Sequence, residues 1–157
     1  PIFVNNSEWL KKLNYIDFLR NIGKHFTINK MLSFESVKLR LEREQSLSYM
    51  EFNYMILQAY DFYKLNEDQN CILQIGGSDQ LFNMLVGRTL QKDKGVDPQA
   101  VLTMPLLVGL DGSKKMSKSY DNYIAFNDSS KDIFGKTMSI SDETMWDYYK
   151  LLLIRDT

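Results

Sequence analysis

Lys115 and Lys118 lie in a short polar segment that ends at Ser119, which we call the lysine loop. Gly109 and Gly112 precede it. A loop of this composition can move, and a lysine ammonium is a compact cation on a long, flexible stem. The segment therefore suits the binding of a highly charged group, such as a phosphate, that moves during a reaction. An exposed basic turn is the simpler interpretation, and for residues 115–119 taken alone it is the better supported one.

A phenol, an amide and a carboxylate are spaced so that they share one side of a predicted helix. At about 100° per residue, the side chains of Tyr54, Gln58 and Asp61 fall within one narrow sector. Apolar residues occupy the other side: Met55, Ile56, Ala59, Phe62 and Tyr63. The three polar groups have definite hydrogen-bond geometry, which suits a small zwitterion with a polar tail. An amphipathic helix with a solvated face explains the same spacing, and both interpretations stand at this point.

A pair of glycines joins a predicted strand to a predicted helix in the run from Leu73 to Gln80. Nucleotides bind outside the carboxyl ends of strands in α/β sheets, and glycines allow the backbone to approach a ligand closely. Asp79 at the start of the helix is a good acceptor for the two hydroxyls of a ribose. The alternative is a tight turn at Gly76 and Gly77, with Asp79 favoured there by the helix dipole.

The elements that must position these groups can be predicted from periodicity, caps and turns. The predicted strands cover residues 2–4, 71–75 and 101–104, and the middle one is expected to be buried. The predicted helices cover residues 7–13, 15–22, 33–44, 48–65, 79–92 and two segments that begin near 130 and 141. Their predicted caps are Ser7, Ser48, Ser78, Ser130 and Ser141, and Ser33 is predicted to start the helix at 33–44. The order strand–turn–helix–strand predicts an α/β fold with a parallel sheet and packed helices, and the chain beyond residue 126 is expected to be purely helical.

Composition excludes several classes of protein. The chain has 157 residues, 44% of them hydrophobic, which is enough for a globular core. Its net charge of −1 does not mark a general nucleic-acid binder, so any RNA contact must come from a local patch. The single Cys71 fits a reducing compartment, and with the single His25 it predicts no Cys/His metal site. No signal peptide is visible, and no apolar run reaches the roughly 18 residues of a membrane helix.

Taken together, the order and spacing of the three motifs resemble those of the bacterial-type tyrosyl-tRNA synthetases. Residues 115–119 match the KMSKS signature of class I aminoacyl-tRNA synthetases. The resemblance covers essentially the whole chain and outweighs the simpler interpretation of each motif. It implies that residues 1–125 are the C-terminal half of a Rossmann-like catalytic domain and that residues 126–157 begin an α-helical domain.

The resemblance implies roles for the polar residues of the predicted helix and strand. Tyr54 and Gln58 are implied to bind the amino group of L-tyrosine. Asp61 is implied to bind the phenolic hydroxyl, and Gln74 to line the same pocket.

The resemblance also implies how ATP is bound. Gly77 and Asp79 are implied to hold the ribose of tyrosyl-adenylate, and Gln80 to lie near the reacting carboxyl group. The implied catalytic residues contact the ATP phosphates: Lys115, Lys118 and Ser119. Mg²⁺ is implied to accompany ATP, and no metal site of the protein itself is predicted.

The implied activity is activation of tyrosine by ATP, followed by transfer of the tyrosyl group to tRNA(Tyr). A cytoplasmic enzyme without membrane association is expected, and an organellar one stays open. The HIGH motif of the family needs two histidines, so we expect a fragment of a longer parent, inactive alone. Family members are dimers, and residues 32–49 are expected to help form a homodimer through the apolar side chains of Phe34, Leu39, Leu41 and Tyr49.

Two positions depart from the family pattern. Many members have Trp where this chain has Leu81, beside the ribose site, and Gly where it has Asp121, just after the lysine loop. Two alternative functions are also considered. A tryptophanyl-tRNA synthetase shares the fold, but Tyr54, Gln58 and the glycine-containing run favour tyrosine. A non-catalytic RNA-binding relative would not need to keep the acidic residues and lysines of all three motifs.

Overall fold

The computed structural model describes residues 1–153, apart from the side chains of Glu35 and Ser36. Its helices and strands are α1 (Ser7–Leu10), α2 (Tyr15–Asn21), α3 (Ile28–Leu32), α4 (Glu35–Glu42), α5 (Tyr49–Gln69), β1 (Leu73–Gly77), α6 (Leu81–Asp93), β2 (Ala100–Met104), α7 (Ser130–Met138) and α8 (Asp142–Leu153). Short 3₁₀ helices cover Gly23–His25, Ser78–Gln80 and Lys118–Tyr120. The last four residues of the predicted helical domain, 154–157, lie outside the described residues.

The described chain divides into two compact units. One comprises residues 1–76 and 80–102, and the other comprises residues 77–79 and 103–157. The sheet described here pairs β1 with β2 in parallel, and helices pack beside the strands, so the predicted α/β class is confirmed. Within residues 1–153, every helix is too short or too polar to cross a lipid bilayer.

Helix α5 begins at the predicted capping box. The hydroxyl of Ser48 accepts a hydrogen bond from the backbone N–H of Glu51 at 3.2 Å, and the Glu51 carboxylate accepts from the backbone N–H of Ser48 at 3.0 Å. This exchange satisfies two of the N–H groups that a helix start leaves free. The helix runs past its predicted end at residue 65 to Gln69, and Asn70 ends it with a left-handed φ of 50°. Asparagine adopts that conformation more readily than most residues.

The apolar side of α5 packs against α6. Met55, Ile56 and Ala59 are buried, as predicted. Gly87 on α6 leaves room for the ring of Phe62, because a Cβ at this position would collide with it. The rest of this core consists of Phe18, Ile22, Met31, Phe34, Val37, Val86 and Leu90.

Two buried glutamines tie α5, α6 and the strands together. The side-chain oxygen of Gln91 accepts from the backbone N–H of Gln99 at 3.0 Å. The Gln99 amide nitrogen donates to the backbone carbonyls of Phe62 at 3.2 Å and Cys71 at 2.6 Å. Buried backbone carbonyls need hydrogen-bond donors, and the two amides supply them. These bonds hold the segments that lead into β1 and β2 against α5 and α6.

The predicted strands are partly wrong. Residues 2–4 form no strand, and Ile2 and Phe3 are exposed. Strand β1 starts two residues later than predicted and includes Gly77. It is not buried: Leu73 and Ile75 are 46% and 65% exposed. Both side chains point to the same face of the sheet, and that face is exposed, whereas Gln74 on the other face is half-buried.

The helix starts are also shifted at several positions. Ser33 does not begin a helix, because it follows an additional helix, α3, which the hydroxyl of Thr27 caps by accepting from the backbone N–H of Lys30. Phe34, expected on the surface, is buried. Ser78 opens a 3₁₀ turn instead of capping α6, which has no side-chain cap.

The second unit contains the two helices predicted after residue 126. Helix α7 is capped by Ser129, one residue before the predicted cap, through a hydrogen bond from the backbone N–H of Asp132 at 3.1 Å. Ser141 caps α8 as predicted, accepting from the backbone N–H of Thr144 at 3.3 Å. The regular structure described in residues 127–153 is helical, as expected.

Replacing Gly87 by alanine is expected to destabilise the chain by about 1–3 kcal/mol, because the new methyl group overpacks the contact with Phe62. Gly135→Ala is the matched control, since a Cβ there meets no atom within 4 Å. In a helix that change is expected to stabilise the chain by roughly 0.5–1 kcal/mol. Urea unfolding followed by circular dichroism measures both. Equal effects of the two substitutions would contradict the packing described for Gly87.

Candidate active site

The predicted polar stripe of α5 lies outside the buried side of the helix. Tyr54 is 61% exposed, whereas Gln58 and Asp61 are half-buried. Seven residues separate the first from the last, a rise of about 10 Å along the helix axis. That rise is of the order of a tyrosine's length, so the two ends of the stripe can contact opposite ends of such a ligand.

Asp61 is held by two side chains from the start of the chain. The amide nitrogen of Asn6 donates to Asp61 Oδ2 at 2.9 Å, and the indole nitrogen of Trp9 donates to Asp61 Oδ1 at 2.7 Å. Both donors act on an ionised acceptor, which makes such bonds short and strong. A carboxylate has about four acceptor positions, so Asp61 keeps capacity for a ligand hydroxyl while its orientation is fixed.

Sequence reasoning missed Asn6 and Trp9 as site residues. Their spacing offers one weak signal, because residues three apart at a helix start share a side. A half-buried tryptophan N–H also needs an acceptor. Neither signal identifies Asp61, more than fifty residues away, as the partner.

Three amide side chains meet beside the middle of the stripe. Asn83 Nδ2 donates to Gln58 Oε1 at 2.9 Å, and both side chains reach the side-chain oxygen of Gln80 at 3.4 Å. The structure therefore brings together two predicted site residues, Gln58 and Gln80, and adds Asn83, which was not predicted. Gln74 lies on the half-buried side of β1, between the exposed Leu73 and Ile75.

In the second unit, Asp79 and Lys115 form an ion pair. The ammonium of Lys115 lies 2.9 Å from Asp79 Oδ2, and the two side chains are 48% and 34% exposed. Gly77 permits this arrangement, because a Cβ there would lie 2.7 Å from both Asp79 Oδ1 and Leu106. The structure thus brings together three predicted ATP-binding residues: Gly77, Asp79 and Lys115. The ion pair joins positions that are 36 apart in the chain.

The ion pair raises the pKa of Lys115 above the ordinary lysine value, first through the hydrogen bond to Asp79 and then through its negative charge. The ammonium is therefore fully protonated at neutral pH. It is a fixed positive charge, not an acid or a base.

The lysine loop begins at the end of a short hairpin, residues 107–116. Val108 and Lys115 form an antiparallel bridge, and the backbone N–H of Met116 donates to the carbonyl of Leu107 at 2.7 Å. An open cavity of about 410 Å³ lies beside it, lined by Leu106, Leu107, Lys115, Met116 and Ser117.

The second half of the loop is a single 3₁₀ turn. Ser117 caps it by accepting from the backbone N–H of Ser119 at 3.1 Å, and Lys118 and Ser119 are exposed. Asp121 ends the turn with a left-handed φ of 51°. This conformation explains why glycine suits the position, and aspartate is among the residues that tolerate it.

Asp79→Asn is expected to lower the pKa of Lys115 toward the ordinary lysine value, because a neutral amide does not stabilise the ammonium. The pair's contribution to stability is complete below that ordinary value and is lost as the pH rises through the raised pKa. An NMR titration of the Lys115 ammonium measures the shift. Asp121→Asn is the control, since it removes one carboxylate from the same part of the chain and leaves the ion-pair partner in place. A pKa that is the same in Asp79→Asn and in the unmodified chain would contradict the ion pair.

Comparison with known proteins gives the family. Residues 2–156 match the family model for class I tRNA synthetases (W and Y). The tyrosine–tRNA ligase of Pelagibacter ubique is 66% identical over 114 residues, which are 73% of this chain and 28% of that protein. The tyrosine–tRNA ligase of Haemophilus influenzae is 49% identical over 152 residues, which are 97% of this chain and 37% of that protein. The chain therefore spans about a third of the length of these relatives.

Solved structures support the same fold. A tyrosyl-tRNA synthetase from Archaeoglobus fulgidus, complexed with L-tyrosine, superposes with a TM-score of 0.70 at 24% identity, covering 97% of this chain and 48% of that one. A tryptophanyl-tRNA synthetase from Campylobacter jejuni gives a TM-score of 0.56 at 21% identity, covering 80% of this chain and 40% of that one. With its KMSKS loop and strand–glycine–helix turn arranged as described, the chain belongs to the class I tRNA synthetases of the tryptophan and tyrosine family, and its sequence is of the bacterial tyrosyl type.

Proposed function

We propose that this chain is part of a longer tyrosyl-tRNA synthetase, which activates L-tyrosine with ATP and transfers it to tRNA(Tyr). Residues 1–125 are then the C-terminal half of the catalytic domain, and residues 126–157 begin the following helical domain. The observation that carries the choice of tyrosine is the fixed carboxylate of Asp61, on the same side of α5 as Tyr54 and Gln58. It offers an acceptor to a ligand hydroxyl, on the same side of the helix as the residues proposed to bind the amino group.

The tyrosine site consists of side chains of the first unit. Tyr54 and Gln58 bind the amino group, Asp61 accepts from the phenolic hydroxyl, and Gln74 lines the pocket. The Asn83 and Gln80 contacts hold the Gln58 amide in one orientation. Its oxygen is then available as an acceptor for an ammonium group.

The ATP site uses the turn after β1 and the lysine loop. Gly77 and Asp79 bind the ribose, Gln80 lies near the reacting carboxyl group, and the phosphates are bound by Lys115, Lys118 and Ser119. Mg²⁺ arrives with the ATP phosphates, and within residues 1–153 no cluster of three or more His, Cys, Asp or Glu side chains is placed to bind a metal.

The first step needs no general base, because the tyrosine carboxylate is already ionised at neutral pH. One carboxylate oxygen uses a lone pair to form a bond to the α-phosphorus. The bond from that phosphorus to the bridging oxygen breaks, and its electron pair leaves with pyrophosphate. The chain contributes position and positive charge, and the protonated ammonium groups of Lys115 and Lys118 stabilise charge on the phosphates as the bond breaks.

In the second step a hydroxyl of the terminal ribose of tRNA(Tyr) attacks the carbonyl carbon of tyrosyl-adenylate. An ester bond forms, the bond from that carbon to the phosphate oxygen breaks, its electron pair leaves with AMP, and the hydroxyl proton is released to water. We also propose that the parent is a cytoplasmic homodimer, to which residues 32–49 contribute. The exposed Leu39, Leu41 and Tyr49 support this surface, whereas Phe34 belongs to the core.

Two alternatives are less well supported. A tryptophan-specific enzyme is disfavoured because relatives at 49–66% identity are tyrosine–tRNA ligases. A non-catalytic relative has no reason to keep Asp61, Asp79, Lys115 and Lys118 together.

The test is tyrosine-dependent exchange of pyrophosphate into ATP by the longer enzyme that carries this chain. Lys118→Ala is expected to lower the rate of adenylate formation by roughly 100-fold, because it removes charge stabilisation in the transition state. Tyrosine affinity is expected to stay nearly unchanged, since the lysine does not contact the amino acid.

Lys114→Ala is the matched control. Lys114 is also a lysine of this segment, but its ammonium lies over the ring of Tyr120, 5.1 Å from the centroid. The rate is expected to stay close to that of the unmodified enzyme. Equal losses in the two variants would contradict the role of Lys118, and an unmodified enzyme without exchange would contradict the proposed function.

A further inference from the structure

The turn of the hairpin between Val108 and Lys115 contains an acidic side chain that neither the sequence motifs nor the proposed mechanism uses. Asp111 Oδ1 accepts from the backbone N–H groups of Ser113 at 2.9 Å and Lys114 at 2.8 Å. Its other oxygen, Oδ2, accepts from the side-chain amide of Asn122 at 2.7 Å. One carboxylate therefore joins this turn to Asn122, which lies three residues after the end of the lysine loop.

We call the pair of side chains of Asp111 and Asn122 the clamp. Asn122 is only 4% exposed. Its Oδ1 accepts from the backbone N–H of Ser117 at 2.9 Å, and its Nδ2 also reaches the carbonyl of Lys115 at 3.2 Å. Its own backbone carbonyl accepts from the N–H of Leu110 at 2.9 Å. Gly109 makes room for it, because a Cβ there would collide with the Asn122 side chain. A buried amide satisfied on both its oxygen and its nitrogen is a rigid connection.

The clamp forms hydrogen bonds with backbone atoms of the lysine loop and of the residue before it. It holds the N–H of Lys114, the carbonyl of Lys115 and the N–H of Ser117. Ser117 in turn caps the turn that carries Lys118. The Lys115 ammonium is held by Asp79, and the clamp fixes the backbone positions from which the side chains of Lys115 and Lys118 start.

The charge of Asp111 suits this role. The backbone N–H groups of Lys114 and Ser113, together with the Asn122 amide, lower the pKa of Asp111 to about 2. The carboxylate is therefore ionised throughout the neutral range, and each of its hydrogen bonds is charge-assisted.

We propose that Asp111 and Asn122 are positioning residues for adenylate formation, which set where Lys115 and Lys118 stand when the ATP phosphates arrive. This inference rests on the proposed function. Two residues outside the KMSKS signature then affect the rate of adenylate formation, because they hold the backbone of the lysine loop in place. A misplacement of about 1 Å in a reacting group can cost as much as 100-fold in rate.

The test compares variants of the longer enzyme that carries this chain. Asn122→Ala is expected to slow adenylate formation by about 10–100-fold. Tyrosine affinity, measured by equilibrium binding, is expected to stay within about twofold, because the loop acts on the phosphates and not on the amino acid. Asn127→Ala is the matched control, since Asn127 is an exposed asparagine five residues along the chain. It is expected to leave both quantities unchanged.

A reciprocal exchange distinguishes positioning from a general loss of structure. Asn122→Asp alone places a carboxylate against Asp111 and against the carbonyl of Lys115, so a large loss of rate is expected. In the double variant Asp111→Asn with Asn122→Asp, the amide at position 111 can donate to the carboxylate at position 122, which still accepts from the N–H of Ser117. The double variant is therefore expected to recover at least part of the rate lost in Asn122→Asp.

The outcomes separate this inference from the proposed function. If the unmodified enzyme shows no tyrosine-dependent exchange, the proposed function fails, and this inference fails with it. If the unmodified enzyme is active and Asn122→Ala is equally fast, the positioning role alone is refuted. The positioning role is also refuted if tyrosine affinity falls as much as the rate, or if the double variant is no faster than Asn122→Asp.

Discussion

The packing of α6 onto α5 is the constraint on which the candidate tyrosine site depends. Met55, Ile56 and Ala59 are buried, and the contact between Phe62 and Gly87 leaves no room for a Cβ on α6. A helix has one orientation about its axis, so burying these residues decides which side is left for a ligand. The stripe of phenol, amide and carboxylate is that side. It is available for chemistry because the opposite side is committed to the core.

Within the stripe, Asp61 shows how a polar group becomes a site. An isolated carboxylate on a helix surface is solvated and turns freely. Here Asn6 and Trp9 each donate to one of its oxygens, so its direction is set before a ligand arrives. The same principle recurs in the second unit, where Asp111 and Asn122 fix the backbone of the lysine loop and Asp79 holds the Lys115 ammonium. In both cases neighbouring donors position a charged residue, and this lowers the ordering cost of binding.

Local features could be predicted from the sequence, whereas the contacts that complete the site could not. The capping box of α5 and its polar stripe follow from spacing along a single helix, which is why they were predicted. The partners of Asp61 and of Lys115 are remote in sequence, and spacing carries no signal for such pairs. Strand β1 was predicted to be buried because its residues are apolar, but burial depends on what packs on each face of the sheet, and the face that carries Leu73 and Ile75 is exposed. The start of α6 shifted because Ser78 enters a 3₁₀ turn instead of acting as a cap.

The most direct test of the account is whether Asp61 reads a hydroxyl group. The specificity constants for activation of tyrosine and phenylalanine should be compared in the longer enzyme and in its Asp61→Ala variant, with Glu67→Ala as a control acid on an exposed part of α5. Phenylalanine leaves the Asp61 carboxylate without the hydroxyl that would bond to it, at a cost of about 1–3 kcal/mol or more for a charged group. The variant has no such group to leave unpaired. The account predicts that the preference for tyrosine falls in Asp61→Ala and is retained in Glu67→Ala. A ratio of specificity constants that is the same in Asp61→Ala and in the unmodified enzyme would contradict it.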